Sequence, residues 1–254
     1  MRKFLFANFF WVIACTSVFS QNEDTSTEKE RVIEEKEFSD ETANQVDRKQ
    51  KSLDYCKQHG IPTADHLKKI KEEDQVVLRT KEEIVNRALA LCYIGLKSEG
   101  IEDSYLTTFE SKYNLLPYLT PVETTFVESE SPSVQQVENA NWRYESLHLL
   151  LWTLGYIDTL SFPEEKSDVS ANVKIVFEKT REELIQQAKL RTKEEILDQA
   201  DLYYRVHWAC VDAGVKNQPV PANLNANVVY ERHYSLNWLI RYMELDWDND
   251  LTDI

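Results

Sequence analysis

The chain has 254 residues, 42% of them hydrophobic, so it can enclose a sizeable core as one large or two small domains. Only 5 Gly and 7 Pro punctuate it, which favours helices joined by short loops over a strand-and-turn protein. The formal net charge of -15 repels phosphate backbones and anionic headgroups, which argues against nucleic acid as a partner and otherwise serves solubility.

Residues 1–20 read as an export signal. Arg2 and Lys3 precede a run from Phe4 to Ala14 that only Asn8 interrupts. The run is shorter than the about 20 apolar residues a spanning helix needs, so no membrane span is expected in the mature chain. Val18-Phe19-Ser20 suits cleavage before Gln21, which would make the protein periplasmic or secreted. Alternatively Val12-Ile13-Ala14-Cys15 looks like a bacterial lipobox, which would lipidate Cys15 and anchor the protein to the membrane. Residues 21–47 are polar and mostly acidic and read as a flexible tether or a frayed helix outside the core.

From about Arg48 to the end, residues 48–254, the expectation is a single all-α domain of packed helices. A first helix covers Lys49 to Gln58 and stops before Gly60 and Pro62. A short second helix starts near Thr63 and carries His66, Leu67 and Ile70. Leu78 to Ile84, LRTKEEI, then recurs unchanged at Leu190 to Ile196. Each copy sets Thr three residues before Glu (Thr80/Glu83 and Thr192/Glu195), the capping-box spacing that satisfies two orphan backbone N–H groups at a helix start. The two copies predict two equivalent helices and a pseudo-repeat.

The first repeat helix runs from Lys81 to about Ser98, with Ile84, Ala88, Leu91, Cys92 and Gly95 on its inner stripe. Thr120 and Glu123 mark another helix start, with Pro121 at its first position. Residues 128–140 read as a linker. Asn141 to Asp158 is apolar on every side yet carries Arg143, Glu145 and His148, which predicts a buried central helix, not a membrane span. Residues 172–177, NVKIVF, alternate like a short strand. Thr180/Glu183 starts a brief helix ending near Leu190.

The second repeat helix runs from Lys193 to about Ala213. Ile196, Ala200, Tyr203, His207 and Val211 form its inner stripe. Glu194, Asp198, Asp201, Arg205 and Asp212 form its outer one, with Asp201 and Arg205 spaced as a surface ion pair. Residues 214–226 are a loop. The last helix, about Val228 to Met243, buries Val229, Leu236, Leu239, Ile240 and Met243, and sets Tyr230, Tyr234 and Trp238 on its other side. Asp246, Asp248, Asp250 and Asp253 read as a solvated acidic terminus, because the Gly and distal Glu of a calcium loop are missing. Cys56, Cys92 and Cys210 are too widely spaced for a disulfide framework or zinc pattern.

His207 is the sharpest candidate for chemistry, since an imidazole on an inner stripe must find partners for its ring nitrogens. It is either a general base or ligand in a pocket or a satisfied structural histidine, and the second reading is the simpler. Glu231, Arg232, His233 and Asn237 share one helix, and Arg232 falls on its buried side, where Glu145 is its natural mate. With Arg143, Glu145 and Arg205, these residues form a candidate buried polar set. The chain has no Gly-rich phosphate loop, HExxH, paired CxxC or GxSxG, so no cofactor and no metal are expected.

ILDQADLYYRVHWACVDAG, QPVPANLN, VVYERHYSLNWLIRYM and the closing DWDNDLTDI, together with WRYESLHLLLWTLGY at 142–156 and LRTKEEIVNRALAL at 78–91, resemble the family called domain of unknown function 4272. The likeness begins near Arg48 and covers about four-fifths of the chain. The family pattern has Arg where this chain has Gly214, and Gly where it has Asn217 and Asn223. The family is best known from bacteria, and the resemblance implies no particular activity, cofactor or catalytic residue. The helical build, the absence of catalytic motifs and the tether instead point to an exported, non-enzymatic helical interaction module of the bacterial cell envelope, with a protein or small ligand as its partner. The alternative is an enzyme or small-ligand binder using a His/Glu/Arg pocket.

Overall fold

A computed structural model describes residues 43–249 and Thr252. The expected signal, Cys15, most of the tether, Asp250 and Asp253 lie outside the described residues. The described residues are all-helical, in one packed domain: α1 (Ala43–Gln58), α2 (Lys81–Ser98), α3 (Asp103–Tyr113), α4 (Pro121–Glu128), α5 (Val134–Thr153), α6 (Val169–Phe177), α7 (Arg181–Gln187), α8 (Lys193–Val215) and α9 (Ala226–Leu239).

Capping chemistry sets most helix starts. The Thr80, Thr120, Thr180 and Thr192 hydroxyls each accept from the N–H of the Glu three residues on, and each Glu returns the bond. Ser133 and Gln136 make the same box, so α5 begins inside the expected linker 128–140. It ends at Thr153, ahead of the predicted Asp158, because Gly155 turns the chain at positive φ.

Other expectations need correction. Helix α1 starts at Ala43, inside the expected tether. No helix starts at Thr63; Leu67 is buried in irregular chain, and a single 3-10 turn follows at Glu73–Gln75. Residues 172–177 belong to helix α6, not to a strand. Asp168 caps it by accepting from the Ala171 N–H, and Asn172 and Val176, one turn apart, share its buried face. Val211 is 40% exposed, because successive four-residue steps drift off a helix of 3.6 residues per turn; Cys210 and Ala213 are buried instead. Met243 is 57% exposed because α9 ends at Leu239 and Arg241, Met243 and Glu244 take positive φ. Asn217 and Asn223, the positions where the family pattern has Gly, also sit at positive φ, which Asn tolerates better than most residues.

The core forms where α2 packs on α5, α8 on α9, and α5 on α9, with α1 laid over α8. Ile84, Leu91, Leu147, Leu150, Ile196, Val229 and Leu236 fill it. The two repeat segments dock reciprocally. The Arg79 N–H donates to Leu239 O, at the end of α9, at 3.0 Å, and the Arg191 N–H donates to Thr153 O, at the end of α5, at 2.9 Å. Arg79 lies over the Trp238 ring and donates to its carbonyl; Arg191 does the same at Trp152. Lys81 Nζ donates to Ala188 O, just before the second copy, and Lys193 Nζ donates to Val76 O, just before the first.

Candidate functional site

Helices α5, α8 and α9 carry the candidate polar set. Tyr144-Glu145 on α5 and Tyr230-Glu231 on α9 are counterparts when the two tryptophans Trp152 and Trp238 are aligned. Their carboxylates cross over. Glu231 accepts from Arg143 Nη1 at 3.1 Å and from the Ser146 hydroxyl at 2.5 Å. Glu145 lies 3.7 Å from Arg232 and accepts from the Ser167 N–H at 2.5 Å. Arg232 Nη1 also donates to Ser161 O at 2.7 Å and to the Tyr203 hydroxyl at 2.6 Å. Burial pushes the Glu231 carboxyl up against the pull of Arg143. It also raises the Tyr203 phenol.

Arg205 forms a separate unit. Its guanidinium grips Asp201 through two bonds of 2.8 Å and donates to Lys68 O. The expected surface pair is thus a core pair, with Arg205 fully buried and Asp201 nearly so. The reason is tertiary: α1 packs on α8 and the 61–72 segment passes beside it, which turns a nominally outer stripe inward.

His207 is buried, as its stripe requires, and its partner is another imidazole. Its Nδ1 lies 2.9 Å from Nδ1 of His233. One ring must donate from Nδ1 and the other accept, so the two hold opposite tautomers. Burial lowers His207 to about 4. Burial and then the neighbouring His207 lower His233 to about 3, so both rings are neutral at pH 7. The Tyr230 ring stands edge-on to His207. Asn237 is buried on the same helix as His233. All eight candidates are therefore interior or nearly so, but seven of them divide into an α5–α9 seam, an α8–α9 imidazole pair and the Arg205 unit, while Asn237 lies one turn beyond His233 on α9. What this arrangement can do chemically is join helices with matched charge.

The two described cavities lie elsewhere. One, of about 450 Å³, is bounded by α2, the turn before α4 and the C-terminal segment, with Asn86, Arg87, Trp238 and Trp247 in its wall. The other, of about 620 Å³, lies among Tyr93, Lys97, Asp103 and residues 128–130. Neither is lined by His207, His233, Glu231 or Arg232. The expected solvated terminus shapes the first. Trp247 is 3% exposed, the Tyr234 hydroxyl donates to its carbonyl, and the Asp248 carboxylate accepts from the Val122 N–H at 3.1 Å. Arg87 donates to Glu123 at 2.5 Å and lies over the Trp247 ring. Sequence reasoning missed Asn86 and Arg87, and read Glu123 only as the capping partner of Thr120. The available signal was two polar residues between Val85 and Ala88 on a helix otherwise apolar from Ile84 to Ile94.

Among the described residues, no group of three or more His, Cys, Asp or Glu side chains could hold a metal ion, and no helix is long and apolar enough to cross a membrane. Cys56, Cys92 and Cys210 are buried free thiols, and burial raises all three. No curated protein and no solved structure matches the chain. A family model does match, over residues 48–250, and the chain accordingly belongs to the family described as Domain of unknown function (DUF4272).

Proposed function

We propose that this protein is an exported, non-catalytic binding module of the bacterial cell envelope, with the helical domain presented behind the acidic segment 21–47. The observation that carries the non-catalytic part is the pairing of the polar set. Arg143 with Glu231, Arg232 with Glu145, and His207 with His233 each join two helices, and a general acid or base must instead reach a substrate at about 3 Å. The export signal read at residues 1–20 supports the compartment. The alternative, an enzyme or small-ligand binder acting through His207, His233, Glu231 and Arg232, draws on the imidazole contact alone.

The test has two arms in the native host. Intact mass of the exported protein reports processing: a mature start at Gln21 or lipid on Cys15 supports export, and an unprocessed cytoplasmic chain overturns it. Chemical crosslinking in the envelope then captures the partner. His207→Ala and His233→Ala, matched for folding, keep that partner if the histidines are structural. Loss of it in either well-folded variant refutes the reading.

A further inference from the structure

We propose that the cavity between α2, the turn before α4 and the C-terminal segment docks a basic peptide segment of a partner protein. This rests on the binding-module reading and names the chemistry that reading leaves open.

Three observations point there. First, two polar atoms buried in the wall have no hydrogen-bond partner among the described residues: the Asn86 Oδ1 acceptor and the Arg87 Nε donor, on side chains 8% and 6% exposed. Leaving such buried groups without a partner is unfavourable. A peptide backbone offers an N–H and a C=O at every residue, so one segment can supply both missing partners. Second, the mouth is acidic. Asp246 and Asp248 line it, and the whole chain carries -15, so a cationic segment is drawn in and an anionic one repelled. Glu83, also in the wall, is already held by Arg79 and Arg241. Trp238 and Trp247 also lie in the wall, with their rings covered by the chain's own Arg79 and Arg87.

The third observation is a basic helix of the chain itself that sits at the equivalent place and is held there through its side chains. In the register fixed by the two LRTKEEI copies, Asn86 on α2 corresponds to Asp198 on α8. Asp198 is covered by α1, whose Arg48 Nε and Lys51 Nζ each reach it at 3.1 Å. The second repeat helix therefore receives a basic segment of the chain at the position where the first opens onto the cavity.

The test is a titration of the full-length chain, followed by tryptophan fluorescence, since Trp238 and Trp247 line the site. The probes are the blocked peptides acetyl-Ala-Lys-Ala-Lys-Ala-amide and acetyl-Ala-Glu-Ala-Glu-Ala-amide, and 1,5-diaminopentane, which has the charge but no amide. The lysine peptide should bind saturably, at least about tenfold tighter than either of the others. Asn86→Leu keeps the volume and removes the acceptor. Asp248→Asn keeps an acceptor for the Val122 N–H and removes the charge. Each should weaken the lysine peptide by about tenfold while the unfolding midpoint holds. Absence of binding, equal affinity for the three probes, or unchanged binding in both variants overturns the site. If the peptide fails while the crosslinked envelope partner survives in the His207 and His233 variants, the site falls and the module reading stands. Loss of that partner removes the module reading whatever the peptide does.

Discussion

Acid should unfold this protein through its imidazole pair. Both rings are neutral in the fold, lowered to about 4 at His207 and about 3 at His233. In the unfolded chain each titrates near 6.5. Between those limits the unfolded state binds more protons, so stability rises with pH and is lost as pH falls below about 6.5. At pH 5 each ring has forgone about 1.5 units, or roughly 2 kcal/mol, and the pair roughly 4 kcal/mol. A domain of ordinary stability has only about 5–15 kcal/mol in total, so a shift of this size is easily measured. His148, lowered mainly by burial, adds in the same direction, while Glu231, raised by burial, opposes it. The depressed carboxyls of Glu83, Glu183 and Glu195 act in a lower window, because they stay ionised at pH 5 in both states. Urea unfolding from pH 7.5 to 5 reads the slope, with the denaturant dependence checked for constancy. The double variant His207→Phe/His233→Leu retains an apolar interior and cannot titrate, so it should lose most of the dependence. If wild type and double variant lose the same stability between pH 6.5 and 5, the argument from the buried pair is refuted.

Two further expectations concern packing and buried charge. Arg205→Met leaves Asp201 buried without its cation and should cost roughly 3–5 kcal/mol in urea unfolding, whereas the double change Asp201→Leu/Arg205→Met should recover most of that loss. Gly95→Ala drives a methyl into the Tyr144 ring on α5 and should cost about 1–3 kcal/mol, visible as a lower midpoint.

What could be read from the sequence was whatever is decided within one helical turn or by one face. The capping boxes fixed the starts of α2, α4, α7 and α8, and α5 would have been placed correctly too had Ser133 and Gln136 been given the same weight. The inner stripe of α8 put His207 in the core. Where a face is decided by a distant segment, the local pattern misleads. Arg205 sits on a stripe with Glu194 and Asp212, and only the arrival of Lys68 and α1 makes it interior. The partner of His207 lies on another helix and could not have been named from periodicity. The acidic terminus reads as solvated by composition, yet Trp247 anchors it in the core and Asp248 caps the start of α4.

The repeated heptapeptide demands more than a shared way of starting helices. A capping box accounts for the threonine and the glutamate, and the periodicity for the buried isoleucines Ile84 and Ile196, but not for the arginine or the lysine. Both basic residues have tertiary work, and it is the same in each copy. Arg79 and Arg191 seal the end of a helix that finishes beside a tryptophan: their backbone N–H groups satisfy Leu239 O and Thr153 O, and their side chains add a bond to the tryptophan carbonyl. Lys81 and Lys193 each reach the backbone just before the other copy. Neither lysine can do this unless both copies are in place, so each repeat is locked by its counterpart. The halves are then free to differ only beyond that lock, first conservatively at Val85 against Leu197 and then in polarity and charge at Asn86 against Asp198 and Arg87 against Gln199. The Asn86 and Asp198 position is where α1 covers one copy and a cavity opens beside the other.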